Sequence, residues 1–253
     1  MGDGGELTGR RVLVTGASSG IGAATCRTIV AKGGAVAMVA RRRERLEELA
    51  AELGEAAVSV PADLTDLDQL AASISAGADA LGGLDGVIAV AGQMMTGAMA
   101  SGTPEKWRAL VDLNLIGPLA TVRYALEHFA PTGRRDVVII GSTGALTPMA
   151  GVGIYGASKR GLEAAFDSLR LELAPSGVNV SLVMPGMFET EGLTLDGIVI
   201  DGEVVGGDIP YFAEGGLPGS PSALADCIAF MIGMPEGICI HEMVVRPTSQ
   251  LNP

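Results

Sequence analysis

The 253-residue sequence predicts one α/β domain: a doubly wound parallel sheet of about seven strands with helices on both faces. Three observations carry this expectation. Short runs of aliphatic and β-branched residues alternate with longer segments whose apolar residues recur every three to four positions. The short runs are almost continuously apolar, as befits strands buried on both faces rather than half-exposed ones. Finally, strict alternation of the two kinds of segment points to right-handed βαβ units in one open sheet.

In order, strands are expected at 11–15, 35–40, 57–60, 86–90, 136–140 and 178–184, with helices at 21–32, 43–53, 67–81, 105–129 and 155–173. After Pro185 the periodicity fades into a stretch rich in Gly, Asp, Glu and Pro that ends near Pro221. It reads as a long loop over about 186–220, and a loop of that length inside a compact domain usually serves as a lid or binding segment. A helix at 222–232 and a last strand at 238–245 complete the pattern. No linker or internal repeat interrupts it, so residues 1–253 are expected to form a single domain.

Composition narrows the function. Seventeen Lys and Arg stand against 29 Asp and Glu, and the resulting formal charge of −12 repels nucleic acid and anionic membrane surfaces. No apolar run is read as reaching the roughly 18 residues that a membrane span requires. The first six residues lack the basic and apolar blocks of a secretory signal, so a cytoplasmic location is expected. Cys26, Cys227 and Cys239 fit neither a disulfide framework nor a metal-ligand spacing, and His128 and His241 are isolated, so no metal is expected.

Two constellations carry chemistry. The first strand runs directly into Thr15-Gly16-Ala17-Ser18-Ser19-Gly20-Ile21-Gly22 and then a helix. Glycines there allow a tight turn and close backbone approach to a pyrophosphate, whose charge meets the amides of the helix N-terminus. At the end of the second strand, an acidic residue would bind a free ribose 2′-hydroxyl, whereas this chain has Arg41-Arg42-Arg43. Guanidinium pairs well with phosphate and is poorly placed at a helix N-terminus otherwise, so NADP(H) is the expected cofactor. The second constellation, Tyr155-Gly156-Ala157-Ser158-Lys159, sets a phenol and an ammonium four residues apart on one helix face, where the cation would favour phenolate.

Together these motifs resemble the short-chain dehydrogenase/reductase family, a Rossmann-like fold, over nearly the whole chain. The resemblance assigns the catalytic tetrad to Asn114, Ser142, Tyr155 and Lys159. It implies cofactor contacts from Gly16, Ser18, Ser19 and Ile21 in the glycine turn, from Arg41 and Arg42, and from Asp63 and Leu64 after the third strand. Further contacts would come from Ala91 and Gly92, from Tyr155 and Lys159, and from Pro185, Gly186 and Thr190 beside the nicotinamide. One departure stands out: the family's usual Asn-Asn-Ala-Gly is Ala89-Val90-Ala91-Gly92 here, so the bonds that brace that turn must be made otherwise or be missing.

By this resemblance Tyr155 protonates a carbonyl oxygen that Ser142 hydrogen-bonds, Lys159 lowers the phenol pKa and holds the nicotinamide ribose, and Asn114 positions a water. The implied activity is a hydride transfer between NADP(H) and a carbonyl or secondary alcohol. An NAD-dependent alcohol dehydrogenase and a non-catalytic NADP-binding regulator are the alternatives. Substrate contacts are expected from Gln93, Met94, Met95, Ala145, Leu146 and Met149, which are uncharged and largely apolar. The 186–220 stretch carries Glu189, Glu191, Asp196, Asp201, Glu203 and Asp208 but no Lys or Arg, which favours a neutral, hydrophobic small molecule. Family members commonly associate through the last strand and the two helices beginning near Glu105 and Tyr155, so a homotetramer or homodimer is expected.

Overall fold

The computed structural model of the chain describes residues 7–146, 151–191, 193–194, 197–200, 203–205 and 216–251, the three short segments between 193 and 205 by their backbone. Seven parallel strands form the main sheet: β1 (Arg11–Thr15), β2 (Ala35–Val39), β3 (Ala57–Ser59), β4 (Gly86–Ala89), β5 (Arg135–Ile140), β6 (Val178–Pro185) and the last strand (Glu242–Val245). The sheet order is last strand, β6, β5, β4, β1, β2, β3. The chain therefore builds outward from β1 in one direction and then returns to build from β4 in the other. At that reversal, the helices leaving β1 and β4 pack on opposite faces and leave a crevice at the strands' carboxyl ends.

Alternation along each strand explains the unbroken apolar runs. Val12 and Val14 face one layer while Leu13 faces the other, and all three are fully buried. On the first face lie α1 (Gly20–Ala31), α2 (Arg43–Leu53) and α7 (Pro221–Ile232), contributing Cys26, Ile29, Leu46, Leu224 and Ile228. On the second lie α3 (Leu67–Leu81), α5 (Gly117–Ala125) and α6 (Gly153–Leu173), contributing Leu70, Ile74, Val122, Leu162 and Phe166. Sequence supplies the stops as well. Asp66 caps α3 by accepting from Gln69 N at 3.1 Å, and Gly82 ends that helix in the left-handed conformation.

The structure departs from expectation in three places. The single helix expected over 105–129 is α4 (Pro104–Val111), a π-helical segment (Asp112–Ile116), α5, and a final 3-10 turn (Leu126–His128). Contrary to the expectation that no run reaches that length, those 25 residues are long and apolar enough to cross a membrane. In the fold their apolar side packs against α3, α6 and β4. The 186–220 stretch is not structureless: β7 (Leu193–Thr194), β8 (Gly197–Ile200) and β9 (Glu203–Val205) form a second, antiparallel sheet. Its signal lay in β-branched residues on either side of Asp201-Gly202, a pair that favours hairpins. The last strand, β10, begins at Glu242 rather than 238, because the Ile238 amide closes a turn onto the Pro235 carbonyl at 3.1 Å.

Near the starts of β1 and β5, charged side chains form a buried knot. Asp136, 2% exposed, accepts from Arg10 at 2.6 Å, from Arg134 at 2.7 and 2.9 Å, and from Asn179 at 3.0 Å. Arg10 and Arg134 also donate to the Ile232 carbonyl, which ties the start of β1, the start of β5 and the end of α7 together.

Candidate active site

A cavity of about 730 Å³ opens over the carboxyl ends of β1, β4, β5 and β6, where the topology places its crevice. At one end lies the glycine turn. Gly16 holds φ +70°, and a side chain there would come within 2.9 Å of the Ala91 backbone. Gly22 permits the closest approach, since its missing Cβ would sit 2.2 Å from the Gly16 carbonyl oxygen. The first turn of α1 contains no acidic side chain, and the Ser19 hydroxyl does not cap it. The α1 N-terminal amides are thus left for an anion, which is the fit a pyrophosphate needs.

The arginines after β2 divide their roles. Arg41 is two-thirds exposed and lies 3.9 Å from Asp63. Burial alone would raise the Asp63 carboxyl, but bonds from the Thr65 amide (2.9 Å) and hydroxyl (2.8 Å), with Arg41 nearby, hold it below the usual carboxylate range. Arg42 instead reaches into the turn. It donates to Ser18 Oγ at 3.0 and 3.1 Å and to Ser19 Oγ at 2.7 Å, and its other nitrogen bonds Glu191 at 2.6 Å. Arg45 ends on the second oxygen of the same Glu191 carboxylate. Neither Arg45 nor this role of Glu191 was expected; the i, i+3 spacing from Arg42 to Arg45 on α2 was the available signal. Glu191, one of the acids of the expected substrate loop, is turned to the cofactor end.

At the other end the predicted tetrad converges. Ser142, after β5, accepts from the Gly144 amide at 3.0 Å, and its hydroxyl and the Tyr155 ring border the same space beside Gly144. Burial pushes the phenol pKa up, and the Ser142 hydroxyl partly opposes it. Lys159 is 4% exposed, and its ammonium donates to the Ile140 carbonyl at 2.9 Å. Burial brings its pKa down from 10.5 to about 8. The expected lowering of the phenol by Lys159 is not found: burial raises the Tyr155 pKa, and the ammonium is directed at the Ile140 carbonyl.

Asn114 lies in the π-helical segment, fully buried. Its Nδ2 donates to the Gln93 carbonyl and its Oδ1 accepts from the Gln93 amide, both at 2.8 Å. The turn after β4 that lacks the usual amide side chains is thus braced from α4 to α5, with Thr15 Oγ1 accepting from the Ala91 amide at 3.5 Å. Gly16, Ser18, Ser19, Ile21, Arg41, Arg42, Asp63, Leu64, Ala91, Gly92, Pro185, Gly186 and Thr190 all line the cavity, as do Ser142, Tyr155 and Lys159. Asn114 stands just behind its wall.

Of the expected substrate contacts, Gln93 and Met94 line the cavity, whereas Met95, Ala145 and Leu146 do not. Met149, Asp196, Asp201 and Asp208 lie outside the described residues, as does the side chain of Glu203. Thr143, Val152, Met187 and Phe188 line it instead. Gln250, from the C-terminal tail, also lines it: its Oε1 accepts from the Met187 amide at 2.8 Å and occupies the space that a Cβ on Gly186 would fill. No local sequence signal marks Gln250.

Fold and site together define a nucleotide-dependent oxidoreductase of the doubly wound class. The profile of the short chain dehydrogenase family matches residues 10–195, and the chain belongs to that family. The chain is 33% identical over 254 residues to glycine betaine reductase ATRR of Emericella nidulans, covering 97% of this chain but 19% of that protein. It is 28% identical over 240 residues to an uncharacterized oxidoreductase of Staphylococcus epidermidis, covering 93% of this chain and 96% of the relative. Among solved structures, a short chain dehydrogenase from Burkholderia cenocepacia in complex with NADP superposes with a TM-score of 0.82 at 29% identity, covering 95% and 98% of the two chains. A metagenomic short-chain oxidoreductase in complex with NADP gives 0.78 at 30% identity, covering 96% and 99%.

Proposed function

We propose that this protein is an NADP(H)-dependent oxidoreductase that interconverts a carbonyl and a secondary alcohol, working as a ketoreductase on a neutral, hydrophobic small molecule. The observation that carries this reading is that Ser142, Tyr155 and Lys159 line one cavity whose far end is an open helix N-terminus flanked by Arg42. The NADP found with two related structures supports the choice of cofactor. When bound, the nicotinamide supplies or receives the hydride.

The chain's own residues handle the proton and the charge. A phenol kept protonated by burial is a donor at neutral pH, so Tyr155 gives its proton to the substrate oxygen. Ser142 stabilises negative charge as it develops on that oxygen. Lys159, buried beside Gly92, meets the resulting phenolate and restrains the ribose, while Met94, Val152 and Phe188 exclude water around an uncharged substrate. In the alcohol-oxidising direction each proton step reverses.

Mixing the protein with NADPH and a panel of aliphatic, aromatic, steroid and quinone ketones, and following loss of nicotinamide absorbance, tests the activity. Tyr155→Phe is expected to lower kcat by at least about 100-fold with KM little changed. A variant that kept more than about a tenth of wild-type kcat would remove Tyr155 as the proton donor. We also infer self-association along β10. That strand is a sheet edge with Val244 48% exposed, and Phe230 on α7 is 56% exposed. Light scattering reads the mass directly, and a monomer at micromolar concentration would overturn this.

A further inference from the structure

We propose that Arg45 joins Arg42 to form the fork that reads the cofactor's 2′-phosphate, and that Glu191 is a resident carboxylate which the phosphate must displace. The inference rests on the NADP(H) reading and deepens it, because it names a phosphate-binding residue and a competitor that the family motif does not mark.

Several features of the geometry converge. Arg42 is held from behind by Ser18 and Ser19 at 2.7 to 3.1 Å, so its remaining nitrogen is fixed at the rim of the cavity beside the pyrophosphate turn. That nitrogen and the terminal nitrogen of Arg45 each meet one oxygen of Glu191. Two guanidinium groups converging on one two-oxygen anion form the arrangement that a phosphate monoester would occupy, with greater charge and a third oxygen to offer. The three side chains are 42 to 49% exposed, so the contact is open to exchange rather than locked in the core. Glu191 reaches the fork because the segment before it lies across the turn: Thr190 Cγ2 is 3.2 Å from the position of a Cβ on Gly20.

A carboxylate in the phosphate position taxes only ligands that need the position. NADP(H) must expel Glu191, whereas NAD(H), lacking the phosphate, leaves the pair of ion contacts in place. Glu191 thus narrows the margin by which the arginines favour NADP(H).

Titration calorimetry with adenosine 2′,5′-bisphosphate and adenosine 5′-monophosphate tests this without relying on turnover. The wild-type chain is expected to bind the bisphosphate more tightly. Removing two exposed ion contacts by Glu191→Gln should tighten bisphosphate binding about three- to tenfold and leave monophosphate binding within about twofold. Arg45→Ala should weaken the bisphosphate about tenfold and spare the monophosphate. Glu189→Gln makes the same charge change at an exposed site two residues away and should move neither ligand by more than about twofold. If wild type shows no preference for the bisphosphate, the NADP(H) reading itself fails. If wild type prefers it but Arg45→Ala has no effect, or Glu191→Gln behaves like Glu189→Gln, the fork and its resident carboxylate are wrong while the cofactor reading stands.

Discussion

Lys159→Met is expected to make the protein inactive and, near neutral pH, more stable. The ammonium is 4% exposed and donates to a neutral carbonyl, Ile140 O at 2.9 Å, rather than to a carboxylate. The drop in its pKa from 10.5 to about 8 corresponds to about 3 kcal/mol of penalty for the charged form. A methionine of similar length removes that penalty and loses the bond to Ile140, worth about 2 kcal/mol for a charged donor, leaving a net gain of about 1 kcal/mol near pH 7. The sign with pH follows from proton counting. Between about pH 8 and 10.5 the unfolded chain holds a proton on Lys159 that the folded chain has released, so wild-type stability from this group rises with pH across that window and is lowest below it. The methionine variant has no such term. Urea unfolding of both proteins, free of nucleotide, should therefore show the variant's advantage shrinking by about 2 kcal/mol between about pH 8 and pH 9.5, and reversing. A stability difference that stays flat over this range would mean that Lys159 is compensated by an anion in the free protein, and the reasoning would fail.

Other substitutions probe the scaffold and the turn. Asp136→Ala strands Arg10 and Arg134, whose side chains are 14% and 11% exposed, and should cost about 3 to 5 kcal/mol in urea unfolding; a loss below about 1 kcal/mol would show that the knot does not hold the sheet. Gly22→Ala forces a methyl to within 2.2 Å of the Gly16 carbonyl, so bound nucleotide should weaken by at least about tenfold in calorimetry while the melting temperature falls only modestly. Unchanged affinity would place the pyrophosphate elsewhere. Burial pushes the Cys26 thiol pKa up to about 12, so a thiol-reactive chromogenic disulfide should leave Cys26 unmodified in native protein at about pH 8 and label it only in denaturant. Rapid labelling of the native chain would show that α1 opens locally.

The strands were legible because burial on both faces leaves a local trace. Val12, Leu13 and Val14 must all be apolar whichever way each points, and a continuous run results. The glycine turn and the Tyr155 to Lys159 pair were legible because each is a short-range arrangement along one segment. What escaped the sequence was decided between distant segments. The π-helical segment around Asn114 is coupled to a backbone contact with Gln93, 21 residues away, and no periodicity within 105–129 announces it. Arg42 turns onto the glycine turn because its partners are Ser18, Ser19 and Glu191, while Arg41, which also lines the cavity, lies beside Asp63. Gln250 enters from the last residues of the described chain, where it accepts from the Met187 amide, and nothing in its sequence neighbourhood marks it. β8 and β9 differ in that their signal is local, but the Gly and Asp of this stretch mask its β-branched residues in the composition.

The loss of two amide side chains at Ala89-Val90 bears on why the remaining residues sit where they do. Gly92 has no Cβ, and the space one would need is bounded by Lys159 Nζ at 3.2 Å and Asn114 Oδ1 at 3.3 Å. The turn after β4, the π-helical segment and α6 therefore meet at one point, and each contributes something the others require. Asn114 saturates both backbone groups of Gln93, which fixes the turn that β4 alone cannot brace with Ala89 and Val90. The same Asn114 reaches Ser158 at 3.3 Å, and Ser158 sits beside Lys159 on α6 with its hydroxyl on the Tyr155 carbonyl at 2.7 Å. A single buried amide thus ties the turn over the cofactor cavity to the helix that carries both the proton donor and its cation. Extra amides in the turn would add bonds to a loop whose position this contact already determines, so apolar side chains there are compatible with an intact site: Ala89 packs in the sheet at 1% exposure and Val90 against the core.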